Sequence, residues 1–309
     1  MGIVNQILAI LNEVSFGHFY FEMALLFRQS MLVNSILCNF EVLYGLSKAH
    51  VEIIESVDKY FMRKIFQSKI STPVESFFIE TNVIPPRFVI LGRRIMYYHS
   101  LLQKKDDELV KNIFLTQQKF SVKNDWIETL KNDLNQCQIN LSESEISQMK
   151  KKKFKKLVNN KLKQLSDEYL FSLQQSHTKS RKIFISENIK HYLVSNELAL
   201  EEKRTLFQLR TMCDVKTNFK HQYSHNMRCR LCDLQEESEA HLLNCHDILD
   251  KNLESELLNI SLSDLWAPFS RQKKAAKIFN KIIKIRDFKF EQKKLTQENP
   301  TFVSSSYTV

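Results

Sequence analysis

The chain has 309 residues, 43% hydrophobic and 26% charged, enough to bury a core for one large domain or two ordinary ones. It holds only four glycines (Gly2, Gly17, Gly45, Gly92) and five prolines. Hairpins and open α/β sheets need such turn residues, so the composition predicts an all-α, multi-helix bundle. The formal net charge of +10 favours a polyanionic partner.

In chain order, residues 3–11 read as a short first helix and 19–44 as a long, largely buried one. Ser47 opens a helix reaching about Phe66, and Thr72-Pro73 reads as a cap with proline at the first helical position. Pro85-Pro86 launches a helix to Gln103 whose apolar positions Phe88, Leu91, Ile95 and Leu102 recur with helical spacing. Asp106 and Asn124 are the expected N-caps of the next two helices. Ser142-x-x-Glu145 is a capping-box pattern before a short helix. A long basic helix then runs from Lys150 to about Gln175, its buried stripe expected at Phe154, Leu157, Val158, Leu162, Leu165, Tyr169 and Leu173. Further helices are expected over 201–212, 248–258 and 271–285, with a loose tail over 292–309.

The densest chemical signal is Cys229, Cys232, His241 and Cys245, which read C-x2-C-x8-H-x3-C. Zinc takes four tetrahedral nitrogen and sulfur donors, and Cys3His is one of its closed structural sets. The first pair must sit on a tight turn for both thiolates to converge. The second pair is spaced i,i+4, which puts both residues on one face of a short helix. The competing reading is three buried free cysteines and a surface histidine, but the paired spacing favours a Zn2+ site. With four protein donors no position stays open for water, so the predicted role is structural. The remaining Cys38, Cys137 and Cys213 are scattered and form no disulfide framework.

Charge is segregated. Residues 150–230 carry a net +12, more than the whole chain, and 271–294 hold ten Lys and Arg against two acids. Lys150, Lys151, Lys152, Lys153, Lys155 and Lys156 are the first candidates for phosphate contacts, followed by Lys216, Lys220, Arg228 and Arg230 beside the cysteine motif. Solvated lysine faces are the plain alternative. No signal peptide or membrane span is expected: Asn12 and Glu13 break the first apolar run, and Glu22, Arg28 and Glu41 interrupt the longest one. Gln6 stands where myristoylation of Gly2 expects Ser or Thr. The expected location is intracellular and reducing, cytoplasmic or nuclear.

No P-loop, G-x-S-x-G, H-E-x-x-H or dinucleotide fingerprint is present, nor a Tyr-x-Asp-Asp pair to hold two magnesium ions. Trp126, His99, His177 and His191 lack partners in sequence and read as packing or capping residues.

Several blocks resemble the C-terminal region of LINE-type (non-LTR) retrotransposon polyproteins. They are Phe16-Gly-His-Phe-Tyr-Phe-Glu, Arg28-Gln-Ser-Met-Leu-Val-Asn-Ser, Ile84-Pro-Pro-Arg-Phe-Val-Ile-Leu-Gly-Arg-Arg and Lys123-Asn-Asp-Trp. They continue with Phe154-Lys-Lys-Leu-Val, Ser176-His-Thr-Lys-Ser, Leu206-Phe-Gln-Leu-Arg-Thr and Val215-Lys-Thr-Asn-Phe-Lys, ending on the Cys-Cys-His-Cys knuckle. The resemblance covers roughly Gly2 to Cys245, and together with the charge and composition beyond it divides the chain. A thumb-like helical region spans 1–140, a basic helical connector 141–212, the knuckle and a following helix 213–260, a basic helix 261–291 and a flexible tail 292–309. It also implies RNA or single-stranded DNA as partner, together with the polymerase palm if one is encoded upstream. The palm carboxylates have no counterpart here, so the expectation is a non-catalytic nucleic-acid-binding piece. A zinc-stapled interaction scaffold without nucleic-acid binding is the alternative.

Overall fold

The structure is a computed structural model that describes residues 2–68, 70–176, 190–211, 228–229, 231–235, 238–248, 257 and 260–298. It is all-α, with no β-strand among the described residues. The helices are α1 (Gly2–Glu13), α2 (Tyr20–Phe27), α3 (Asn34–Ile36), α4 (Lys48–Phe66), α5 (Val74–Thr81), α6 (Pro86–Leu102) and α7 (Leu109–Lys119). They continue with α8 (Trp126–Gln136), α9 (Glu143–Gln148), α10 (Lys151–Ser176), α11 (His191–Val194), α12 (Leu200–Arg210), α13 (Glu239–Leu242) and α14 (Phe269–Glu298). Two compact units divide the chain. The first comprises Met1–Ser15, Glu22–Ile65 and Val74–Ile189; the second comprises Phe16–Phe21, Phe66–Pro73 and Lys190–Val309.

The first unit is organised on α6. Proline at its first turn leaves no N–H unsatisfied there. Phe88, Ile95, Tyr98 and Leu101 share one core with Trp126, Ile127 and Leu130 of α8 and Phe154, Val158 and Leu162 of α10. Gly92 sits mid-helix, where glycine costs up to about 1 kcal/mol against alanine. A methyl there would lie 2.5 Å from Leu162 Cδ1, so the missing side chain is what lets α10 lie against α6. The buried face of α10 runs Phe154, Val158, Leu162, Ser166, Leu170 and Gln174, a strict i,i+4 row. It drifts from the expected stripe, since Leu157, Leu165, Tyr169 and Leu173 are half-buried at its margin.

Four arginines turn inward. Arg28 lies 1% exposed and grips Asp58 with two hydrogen bonds of 2.7 and 2.6 Å. Arg87 pairs in the same forked way with Glu55, and Arg94 with Asp133, adding a bond to the Leu43 carbonyl. Arg93 donates to the Leu37 carbonyl and to Asn34 Oδ1. Burying a guanidinium is tolerable only when its fork is met in this way.

The expected 19–44 helix is shorter and interrupted. A 3₁₀ turn (Gly17–Phe19) precedes α2, a π-helical turn (Arg28–Val33) separates α2 from α3, and helix ends at Ile36. Arg93 occupies the Leu37 carbonyl, and Asn39 takes a left-handed conformation (φ 59°) that stops propagation. The caps of α7 and α8 also differ. Glu108 precedes α7 in place of Asp106, while Asp125, one residue beyond Asn124, accepts the Glu128 N–H at 2.8 Å. Asn124 instead takes the left-handed turn position (φ 64°). The Ser142–Glu145 capping box forms as its pattern predicts.

In the second unit α14 packs against α11 and α12, with Ala275, Ala276, Ile278, Phe279 and Ile282 buried. Phe21, Phe66 and Phe207 stack in a row with centroids 4.7 and 4.0 Å apart. Helix α14 continues through 292–298, where a loose tail was expected; residues 299–309 lie outside the described residues, as do most of 248–258.

Substituting Gly92→Val is expected to destabilise the first unit by about 1–3 kcal/mol through overpacking against Leu162. A lower urea midpoint of the helical signal, with helix content in buffer unchanged, is the readout.

Candidate metal centre and basic surface

Cys229 and Cys232 lie on a turn closed by the Asp233 N–H to the Cys229 carbonyl (2.9 Å) and the Cys229 N–H to the Gln235 carbonyl (2.7 Å). Asp233 sits at φ 55°, the left-handed position that reverses the chain. Ser238 then caps α13 by accepting the His241 N–H at 3.1 Å. That one-turn helix presents His241, and Cys245 follows one turn on.

The four donor atoms all lie within 4.8 Å of one another. Cys229 Sγ and Cys245 Sγ are 3.8 Å apart, and Cys232 Sγ and His241 Nε2 are 3.3 Å apart. A tetrahedral ion with Zn–S near 2.3 Å and Zn–N near 2.0–2.1 Å sets donor–donor edges of roughly 3.5–3.8 Å, so the residues fit such an ion. Nε2 faces the sulfurs while Nδ1 lies 3.2 Å from Gln235 Oε1. That contact fixes the ring and, with Nδ1–H donating, leaves Nε2 as the ligand atom. Gln235 has no signature in sequence beyond its place in the turn after the cysteine pair.

Burial raises the Cys229 thiol and pushes Cys245 up to about 12. At Cys232 burial also pulls upward, but the Leu234 N–H, the Cys229 thiol and the Gln235 N–H outweigh it and hold the thiol below its ordinary value. Backbone N–H groups of Cys232 and Leu231 aim at Cys229, and that of Asp247 at Cys245. These donors stabilise thiolate, while burial without a cation disfavours it; a bound metal supplies the missing charge.

Two lysines of α14 reach the segments that carry the donors. Lys293 donates to the Leu231 carbonyl at 2.9 Å and Lys289 to the Asp247 carbonyl at 2.5 Å. The Arg228 guanidinium lies 3.5 Å from the Asp233 carbonyl. Lys216, Lys220 and Arg230, proposed from sequence as phosphate contacts, lie outside the described residues.

Lys150, Lys151, Lys152, Lys153, Lys155 and Lys156 are all exposed around the start of α10, in the first unit. None has an acidic partner among the described residues. The start of α10 is held by His99, whose Nε2 lies 2.8 Å from the Met149 carbonyl and whose ring stacks on Phe154 at 4.7 Å. Gln103 donates to the same carbonyl at 3.3 Å. His99 is thus a buried packing and capping residue, as its isolation in sequence suggested. No described helix is long and apolar enough to cross a membrane.

The chain matches no protein-family model, no curated protein and no solved structure.

Purified chain is expected to hold about one tetrahedral divalent ion, and Cys229→Ser or His241→Ala to release it and unfold the segment, because binding and local folding are one equilibrium. Affinity should rise with pH. The thiols are protonated when free and deprotonated when bound, so each proton released contributes up to about tenfold per pH unit. Competition with a chromophoric chelator at two pH values measures the slope.

Proposed function

We propose that this chain is a nucleic-acid-binding helical module in which Zn2+, held by Cys229, Cys232, His241 and Cys245, is structural. The partner class is RNA or single-stranded DNA. The observation that carries this reading is the placement of the lysine cluster. Six ammonium groups surround the N-terminal end of a 26-residue helix with no acid in its first turn. A helix macrodipole puts positive charge at that end, so cations there are unfavourable. The Lys150 carbonyl accepts the Lys153 and Phe154 N–H groups, but its side chain has no acceptor to offer the other N–H groups of the first turn. Self-repulsion among the lysines and repulsion from the dipole add, and a phosphate chain relieves both. Phosphate contacts of this kind supply affinity without sequence readout.

The resemblance to the C-terminal region of LINE-type polyproteins supports the same partner class. On that reading the chain is the non-catalytic piece beyond the polymerase palm. A zinc-stapled interaction scaffold is the second reading, favoured by Lys289 and Lys293, which bind backbone carbonyls of the knuckle.

Binding of a labelled single strand should weaken steeply with salt. If about six phosphates are engaged, the log–log slope is near −4, at about 0.7 per phosphate. Charge reversal across Lys150–Lys156 should weaken all sequences alike. Binding that ignores salt, or none at low salt, supports the scaffold.

The chain alone is expected not to extend a primer. Templated synthesis needs carboxylates holding two metal ions about 4 Å apart. The nearest acidic run, Asp106, Asp107 and Glu108, is exposed or half-buried ahead of α7, with Glu108 paired to Lys104 at 2.9 Å. Primer extension with magnesium or manganese, abolished by Asp106→Ala with Asp107→Ala, would overturn this.

A further inference from the structure

Helix α7 is amphipathic in the inverted sense. One of its two lysines is inside: Lys111 is 7% exposed, and its Nζ donates to the carbonyls of Leu101 (3.3 Å) and Leu102 (3.5 Å) at the C-terminal end of α6. A cation is favoured there by the helix dipole. Phe114 is buried beside it, with the Lys111 ammonium 5.7 Å from the ring centroid. These two anchors fix the rotation of α7, and they turn apolar side chains outward. Leu109, Ile113 and Phe120 are 73, 51 and 67% exposed. At 100° per residue the three fall within about 40° of one another, along about 16 Å of helix.

The charges without a partner among the described residues differ in balance at its two ends: Asp106 and Asp107 outnumber Lys105 at the N-terminal end, and Lys119 and Lys123 stand at the C-terminal end. At the N-terminal end Lys104 pairs with Glu108, and Glu108 also accepts the Lys105 N–H at 3.1 Å. Asp106 and Asp107 are exposed and have no partner among the described residues. At the C-terminal end Asp125 accepts the Val122 N–H (2.8 Å) and Glu128 accepts the Asn124 N–H, which fixes the turn carrying Lys123. Lys119 and Lys123 are exposed there with no acidic partner among the described residues.

We propose that this face of α7 binds the same face of a second copy of the chain, as an antiparallel, twofold-symmetric helix pair. A twofold axis crossing α7 between residues 114 and 115 sets Leu109 against Phe120 of the second copy and Asp106 against its Lys123. The arrangement is self-complementary: the acidic end of each helix meets the basic end of the other, and the stripe is covered throughout. A parallel pairing would set acids against acids. An anionic lipid surface would be opposed by Asp106 and Asp107. One helix face is smaller than a standard interface, so association is weak and concentration-dependent.

Sedimentation equilibrium of the full chain over two decades of concentration tests this. The wild type should shift from monomer to dimer, and Ile113→Asp should abolish the shift with helix content unchanged, since the side chain is half-exposed. Asp106→Lys and Lys123→Asp should each weaken dimerisation by about tenfold or more through like-charge juxtaposition. Combined in one chain they should restore it. A monomeric wild type at every concentration overturns the proposal, as does a double variant no better than either single one. Partition of a monomeric wild type onto anionic vesicles, lost in Ile113→Asp, also overturns it, in favour of a lipid surface.

Discussion

The close approach of α6 and α10 is the constraint on which the first unit depends. It exists because residue 92 has no side chain, so the Leu162 side chain fills the space a methyl would need. A chain with so few glycines places one in the middle of a helix, against its helical propensity, and the packing explains why. Tertiary contact outweighs a local cost of up to about 1 kcal/mol. The same contact fixes where α10 begins, because His99 and Gln103, further along α6, hold the Met149 carbonyl just ahead of the lysine cluster. The basic end of α10 is therefore presented by a rigid support, and its six ammonium groups are gathered at one place.

Arginine and lysine divide the work in the two units. Arg28, Arg87, Arg93 and Arg94 meet carboxylates, a side-chain amide or carbonyls with planar forks, which suits a guanidinium inside a protein. The lysines of the 150–156 cluster keep to water. The exceptions follow one rule: Lys111 and Lys203 are buried only where main-chain carbonyls receive the ammonium, Lys203 taking those of His18 and Leu193 at 2.9 and 2.8 Å. Much of the net positive charge thus remains on the surface as lysine, while a share of the arginine is consumed in internal ion pairs. A count of basic residues overstates the surface available to phosphate.

What was legible in sequence was whatever local spacing determines. The cysteine–histidine spacing places four donors together, the Ser142 capping box forms, and the proline pair starts α6. Position in space was less legible. The cap of α8 moved by one residue because Asn124 was needed for the left-handed turn and Asp125 took the cap, and that of α7 moved from Asp106 to Glu108. The 19–44 helix stops at Ile36, where Asn39 takes the left-handed position and Arg93, more than fifty residues away, binds the Leu37 carbonyl. The inversion of α7 could not be read from its pattern, since the carbonyls that draw Lys111 inward belong to another helix. Segments 16–21 and 66–73 fall in the second unit for reasons equally remote in sequence.

In the second unit the Cys/His cluster and the last helix meet through two lysines. Helix α14 is held by two different means along its length. Its first half buries Ala275, Ala276, Ile278, Phe279 and Ile282, and the small alanines allow the helix against it to come near. From Asp287 to Leu295 no residue of α14 is buried, and Lys289 and Lys293 there bind the carbonyls of Asp247 and Leu231. Those carbonyls flank Cys245 and Cys232, so their position is set by the turn the ion would organise. A four-donor metal site substitutes for a hydrophobic core in a segment too short to build one.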